Sequence, residues 1–247
     1  MESLLNWGRR LWRECWEGVW ELVFPPRCWL CQQLTEAEWG LCQSCQGQLR
    51  EQAERACWRC GRGVGPFADV HGGCNRCREE SLPFHTVKRL GKYEGALREA
   101  ILLIKHSWYE GLSVALGRFL GHLLAQTETR FEAIVPVPLH WWRFWQRGYN
   151  QAQALAEGIA EVVNKPVLPA ALIRVRPTPS QAGKSATQRR ENVRGAFRSR
   201  LRAPALPASL LLVDDVMTTG STLIEAAKTL RQAGAKEVHV AVLATTD

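Results

Sequence analysis

Apolar positions fall into three textures along the chain. Leu4, Leu5, Trp7, Leu11, Trp12, Trp16, Val19, Trp20, Leu22 and Val23 recur at helical spacing, with Arg9, Arg10, Arg13, Glu14, Glu17 and Glu21 on the other face. That spacing predicts an amphipathic helix, ended by Pro25-Pro26. The next fifty or so residues have little aliphatic core. From about Ser81 strands and helices alternate: strand Val87–Leu90, helix Leu97–Lys105, helix Ser113–Gln126, then a short strand from Ala133 into the proline-fixed Pro136-Val137-Pro138. Helix Gln151–Val163, extended Leu172–Val175, strand Leu210–Val213, helix Leu223–Ala233 and strand Val238–Leu243 complete the series. Such alternation predicts an α/β fold with a largely parallel sheet, ligands lying at the C-terminal ends of its strands. Three regions result: a Trp-rich helix over 1–27, a Cys-rich segment over 28–80 and an α/β domain over 81–247.

The strand at Leu210-Leu211-Leu212-Val213 runs into Asp214-Asp215 and then into Thr218-Thr219-Gly220-Ser221-Thr222 before the next helix. Hydroxyls, backbone N–H groups and the positive end of a helix make a cup for phosphate, and Gly220 lets the backbone curl around it. Two carboxylates at the rim repel that anion unless something beside it donates hydrogen bonds, and vicinal sugar hydroxyls do so. Phosphate and diol together describe a phosphoribosyl group. The competing reading is a plain strand-turn-helix with a capping cluster.

Cysteine and charge change the picture of the first two regions. All 9 Cys lie in residues 1–80, and eight form the pairs Cys28/Cys31, Cys42/Cys45, Cys57/Cys60 and Cys74/Cys77. Each pair has the bite of a zinc knuckle, so two closed, structural four-cysteine sites are expected, paired in chain order as Cys28, Cys31, Cys42, Cys45 and Cys57, Cys60, Cys74, Cys77. Interleaved pairing and an iron–sulfur cluster remain open at this level. Disulfides are disfavoured because the expected compartment is the cytoplasm. No run of 18 apolar residues exists, and charges at Arg9, Arg10, Arg13, Glu14 and Glu17 break any signal-peptide core. The Trp-rich helix carries three Arg against four Glu through Glu21, so membrane contact is not favoured over packing on protein. Residues 1–80 have net charge −1 and residues 81–247 have +9; residues 174–202 alone carry +8. A patch of that kind suits a polyanion such as pyrophosphate or nucleic acid.

The stretch from Val213 to Thr222 resembles the phosphoribosyl-pyrophosphate (PRPP) loop of type I phosphoribosyltransferases. Val135-Pro136-Val137-Pro138-Leu139-His140 with Arg147-Gly148-Tyr149-Asn150-Gln151 resembles their pyrophosphate loop, and Arg176 through Phe197 their flexible closing loop. Together with the four knuckles after Phe24-Pro25-Pro26-Arg27, these segments resemble the ComF (GntX-like) family, bacterial proteins linked to DNA uptake. The resemblance implies a type I phosphoribosyltransferase-like sheet, preceded by a double zinc ribbon. It implies that Asp214 and Asp215 hold the ribose hydroxyls and that Thr218, Thr219, Gly220, Ser221 and Thr222 hold the 5′-phosphate. Arg147 would meet the pyrophosphate, with Gln181, Arg189, Arg190 and Asn192 contributed by the closing loop; any catalysis would fall to Asp214, Asp215, Arg189 and Arg190. The implied ligands are PRPP with Mg²⁺, and the implied partners are single-stranded DNA and DNA-uptake proteins. Ile104-Lys105-His106-Ser107 departs from the Lys-Tyr usual there, so Lys105 is not carried over as a ligand. Two alternatives stand beside this reading: an active phosphoribosyltransferase with an unknown acceptor, and a PRPP sensor. Trp141, Trp142 and Trp145 either pack beneath the loop that bears them or offer stacking surfaces, with packing expected.

Overall fold

The computed structural model describes residues 26–37, 40–176 and 186–246. The amphipathic helix expected over 1–24 lies outside the described residues. Helices α1 (Gln43–Glu54) and α2 (Asn75–Glu79) belong to the Cys-rich segment. There follow β1 (Val87–Lys92), α3 (Gly95–Leu103), a 3-10 turn at Ser107–Tyr109, α4 (Glu110–Ala125) and β2 (Ala133–Pro136). Next come α5 (Trp141–Arg147), α6 (Gln151–Val163), β3 (Leu172–Arg174), α7 (Ala186–Val193) and β4 (Phe197–Ser199). The chain closes with β5 (Ser209–Met217), α8 (Ser221–Gln232) and β6 (Glu237–Thr245).

Four strands form one parallel sheet in the order β1-β6-β5-β2, and β3 and β4 make a separate antiparallel pair. Both central strands carry continuous apolar runs, Leu210–Val213 in β5 and Val240–Ala244 in β6, which is what burial on two faces demands. One face packs Leu211, Val213 and Leu243 against Leu116, Phe119, Leu155 and Ile159 of α4 and α6. The other packs Leu212, Val240 and Val242 against Leu223, Ala226 and Leu230 of α8.

Helices α4 and α6 approach closely because their contact is glycine. A Cβ on Gly117 would lie 2.3 Å from the Leu155 carbonyl oxygen, and one on Gly158 would lie 2.2 Å from that of Val114. This seats α6, and with it the residues at its N-terminus, directly over β2 and β5.

The Cys-rich segment is bonded into the sheet. Cys28, Leu41, Cys45 and Leu49 share the α4 core with Leu90 and Phe119. Farther along, Val87 N–H donates to the Trp58 carbonyl at 2.8 Å, and Arg59 Nη1 donates to the carbonyls of Phe84 and His85 at 2.7 and 2.8 Å. Thr245 Oγ1 donates to the Gly61 carbonyl at 3.0 Å. The outer edge of β1 is thereby met by the second pair of knuckles.

Four local expectations change. Strand β5 continues through both aspartates to Met217, and α8 begins at Ser221 rather than Leu223. Within the segment likened to a closing loop, residues 186–193 are helical and 177–185 lie outside the described residues. Trp141, Trp142 and Trp145 stand on a short helix with no buried residue, so the expected packing beneath a loop does not occur.

Candidate functional site

Parallel strands β2 and β5 open their C-terminal ends on the same side. Val137 N–H donates to the Val213 carbonyl at 2.8 Å, which keeps the loop after β2 beside the Asp214-Asp215 pair. His140 caps α5, its Nδ1 accepting from Trp142 N–H at 3.4 Å. Asn150 caps α6: Oδ1 accepts from Ala152 N–H at 3.2 Å, and Nδ2 donates to the Val137 carbonyl at 3.1 Å. These caps turn both helices toward a cavity of about 570 Å³ lined by Asp214, Asp215, Thr218, Thr222, Arg147 and Gln151, together with Lys105, Arg143 and Arg174. Its size suits a small-molecule site.

Asp215 is fixed at both oxygens: Oδ1 accepts from Val216 N–H at 2.8 Å and Oδ2 from Gln151 Nε2 at 3.2 Å. Asp214 Oδ1 accepts from Asp215 N–H at 2.9 Å. Burial, reinforced by the Asp215 charge, raises the Asp214 carboxyl well above the usual range. The cations are crowded too. Burial first, then repulsion from Arg147, lowers Arg143 below its ordinary value, and burial with repulsion from Arg143 does the same to Arg174. Four basic side chains facing two carboxylates, one with a strong tendency to hold its proton, favour an incoming anion.

Gly220 takes φ +74° at the N-cap of α8, a conformation that glycine adopts without Cβ strain. In that turn the Thr219 and Ser221 hydroxyls lie 2.7 Å apart, and Ser221 N–H donates to Thr219 Oγ1 at 3.4 Å. The expected phosphate residues therefore divide. Thr218 and Thr222 face the cavity with Asp214, Asp215 and Arg147. Thr219 and Gly220 line a cleft of about 30 Å³ that they share with Thr218, Cys60 and Cys77, and Ser221 is buried in the turn. The backbone of Arg189 and Arg190 is in α7, and their side chains lie outside what is described.

Four cavity residues are not legible as ligands in the sequence. Arg143 stands one helical turn before Arg147, so a helix predicted over 141–147 would have exposed it. The neighbours of Lys105 depart from the family pattern, yet this residue faces the cavity. The Tyr149 hydroxyl explains its placement: it donates to the Ile104 carbonyl, one residue away, and lies 3.1 Å from Ser113 Oγ. In sequence Arg174 is only part of a basic run, and Gln151 only the start of a helix.

The eight paired cysteines gather in chain order into Cys28, Cys31, Cys42, Cys45 and Cys57, Cys60, Cys74, Cys77, with all sulfurs of a group within 4.8 Å of one another. Sγ–Sγ separations are 3.6 Å for Cys31–Cys42 and Cys60–Cys74, 3.7 Å for Cys74–Cys77 and 4.0 Å for Cys57–Cys77. A tetrahedron with Zn–S bonds of about 2.3 Å has edges of about 3.8 Å, close to these separations, so the residues of both groups suit zinc. Backbone N–H groups support the sulfurs, Cys42 N–H donating to Cys28 Sγ at 3.3 Å and Cys74 N–H to Cys57 Sγ at 3.2 Å. At Cys28 burial works against the thiolate, but N–H groups of Cys31, Cys42 and Leu30 outweigh it and bring the pKa down to about 7.

Fold and site together define a phosphoribosyl transferase domain carried on a zinc module. The Phosphoribosyl transferase domain family matches residues 154–247, and the Double zinc ribbon domain family matches residues 19–79. A DNA utilization protein YhgH of Salmonella typhimurium is 33% identical over 91% of this chain and 99% of its own. Competence protein F of Haemophilus influenzae is 34% identical over 88% of this chain and 96% of its own, and competence protein ComFC of Bacillus subtilis is 26% identical over 83% and 84%. The chain belongs to the ComF family.

Proposed function

We propose that this protein binds PRPP in the cavity at the ends of β2 and β5 and serves the handling of single-stranded DNA during uptake. The observation that carries the first half is one cavity gathering Asp214, Asp215, Arg147, Thr218 and Thr222 with Lys105, Arg143 and Arg174. The carboxylates accept from the ribose diol, while Thr218, Thr222 and the N-terminus of α8 take the 5′-phosphate. Arg143, Arg147, Arg174 and Lys105 take the pyrophosphate. The raised Asp214 carboxyl fits a site completed by donors, since a diol relieves the repulsion between the two acids. Mg²⁺, when bound with PRPP, supplies further neutralisation of the pyrophosphate charge.

The second half rests on the relatives named for DNA utilization and competence, and on the net charge of +9 over residues 81–247. Among the described residues no helix is long and apolar enough to cross a membrane. We assign the protein to the cytoplasm, where incoming single strands and PRPP are both present.

Calorimetry with PRPP and Mg²⁺ on the zinc-loaded wild type and on Asp214→Asn/Asp215→Asn tests the site. Saturable heat that the double variant loses is expected. A folded wild type that gives no heat overturns the PRPP assignment. Incubation with purine and pyrimidine bases, monitored for pyrophosphate release, asks separately whether PRPP is consumed.

A further inference from the structure

Helix α5 is built against the ordinary logic of a surface helix. It carries Trp141, Trp142, Phe144 and Trp145 in seven residues and buries none of them. Trp145 is 84% exposed, Trp141 63% and Trp142 57%. Burial of each such side chain would ordinarily be favourable, so an aromatic face left in water points to a transient occupant.

The helix is two-sided. Arg143 and Arg147, one turn apart, face the cavity, and none of the tryptophans lines it. Trp141 and Trp142 stand edge to face, ring centroids 5.7 Å apart at 89°, so their planes present separate surfaces. A further exposed tryptophan, Trp108, follows Ser107, whose Cβ lies 3.5 Å from where a Cβ on Gly148 at the C-cap of α5 would sit. Arg174, where the basic stretch of net +8 over residues 174–202 begins, lines the same cavity. Separately presented aromatic faces on a domain of net charge +9 over residues 81–247 match single-stranded nucleic acid, whose bases are free to stack while the backbone is drawn to positive charge. A duplex keeps its bases stacked inside and offers such a helix only phosphates.

We propose that α5 is a stacking platform for single-stranded DNA, with Trp141, Trp142 and Trp145 receiving bases on the side of the helix turned away from the cavity. This rests on the DNA half of the proposed function and is independent of the PRPP half. The platform explains why the tryptophans are spared from the cavity: bases are held beside the PRPP site and do not fill it.

The test measures anisotropy of a dye-labelled oligothymidylate with the full-length, zinc-loaded protein, beside a duplex of equal length and anionic phosphatidylglycerol vesicles. Trp141→Ala, Trp142→Ala and Trp145→Ala are each expected to weaken the single strand by ~5- to 100-fold. Trp145→Phe should retain most of the affinity, duplex binding should change little, and the calorimetric response to PRPP should stay at wild-type level. Wild-type affinity for the single strand in all three alanine variants overturns the platform and leaves the DNA reading standing. Loss of vesicle binding with unchanged DNA affinity also overturns it. A wild type that binds no single strand overturns the DNA reading and the platform together.

Discussion

Gln151 Nε2 donates to Asp215 Oδ2 at 3.2 Å, while Oε1 of the same buried amide has no partner among the described residues. Reversing the amide would set its oxygen against the carboxylate, so the contact fixes the amide's orientation. The side chain spans from the start of α6 to the end of β5 and holds one acid of the pair in place. Gln151→Leu removes a hydrogen bond to a charged group, typically ~1.5–3 kcal/mol. We expect PRPP affinity to fall by roughly 10- to 100-fold in calorimetry with zinc content unchanged; an affinity equal to wild type would remove Gln151 from the site.

Asp214 sets a pH dependence. Its carboxyl is raised above the unfolded value, so between the two the folded chain holds more protons than the unfolded one. Stability from this group is present at low pH and is lost as pH rises through the folded pKa. Asp214→Asn should therefore raise Tm at neutral pH, by about 2–4 °C for each kcal/mol gained in a chain of this size, with the gain shrinking as the pH is lowered. Ligand binding has the opposite slope, because the diol needs the ionised acceptor: wild-type PRPP affinity should rise with pH through the same window. Thermal melts and calorimetry across mildly acid to neutral buffers check both signs.

Gly158→Ala should be among the most damaging single changes to the fold. Its Cβ would fall 2.2 Å from the Val114 carbonyl oxygen and 2.9 Å from Arg118 N, both backbone, so α4 and α6 must separate. Overpacking costs of ~1–3 kcal/mol, occasionally more, are typical. A lowered denaturant midpoint is expected, with weaker PRPP binding as Asn150 and Gln151 move with the helix. Gly47→Ala, at a position where nothing lies within 4 Å of the added Cβ, serves as the tolerant control.

Elemental analysis should find two zinc ions per chain and a colourless protein, since each four-cysteine group brings its sulfurs within 4.8 Å of one another. Cys28→Ser and Cys57→Ser should each lose one equivalent. Of the two, Cys57→Ser should disturb the PRPP site more, because Cys60 and Cys77 share a cleft with Thr218, Thr219 and Gly220. Visible absorption from an iron–sulfur chromophore would contradict the zinc assignment.

Local chemistry is legible in the sequence. The Leu210–Thr222 stretch can be read because strand, acids, hydroxyls and helix are contiguous, and the cysteine pairs because their spacing is itself the ligand geometry. What escapes depends on side chains meeting from distant segments. Lys105 reaches the cavity through the Tyr149 contact to Ile104, a pairing of residues 45 apart that no periodicity reveals. The helix at Trp141–Arg147 is hidden because seven residues give too short a window for its aromatic and polar sides to stand out as a helical period; a His140 cap marks its start. The β3–β4 pair is half visible, since three-residue strands sit below the length at which alternation is recognisable.

The bonds from Trp58, Arg59 and Gly61 to the start of β1 and the end of β6 carry a consequence for life with scarce metal. A parallel sheet ends in a row of unpaired amides and carbonyls, and here the second ribbon meets the start of that row, the Trp58 carbonyl accepting from Val87 N–H. A chain synthesised without zinc would present a bare strand edge to its neighbours, the usual starting point for intermolecular β pairing. Metal-starved growth should accordingly move this protein into the insoluble fraction, so that the zinc ions act as guardians of solubility.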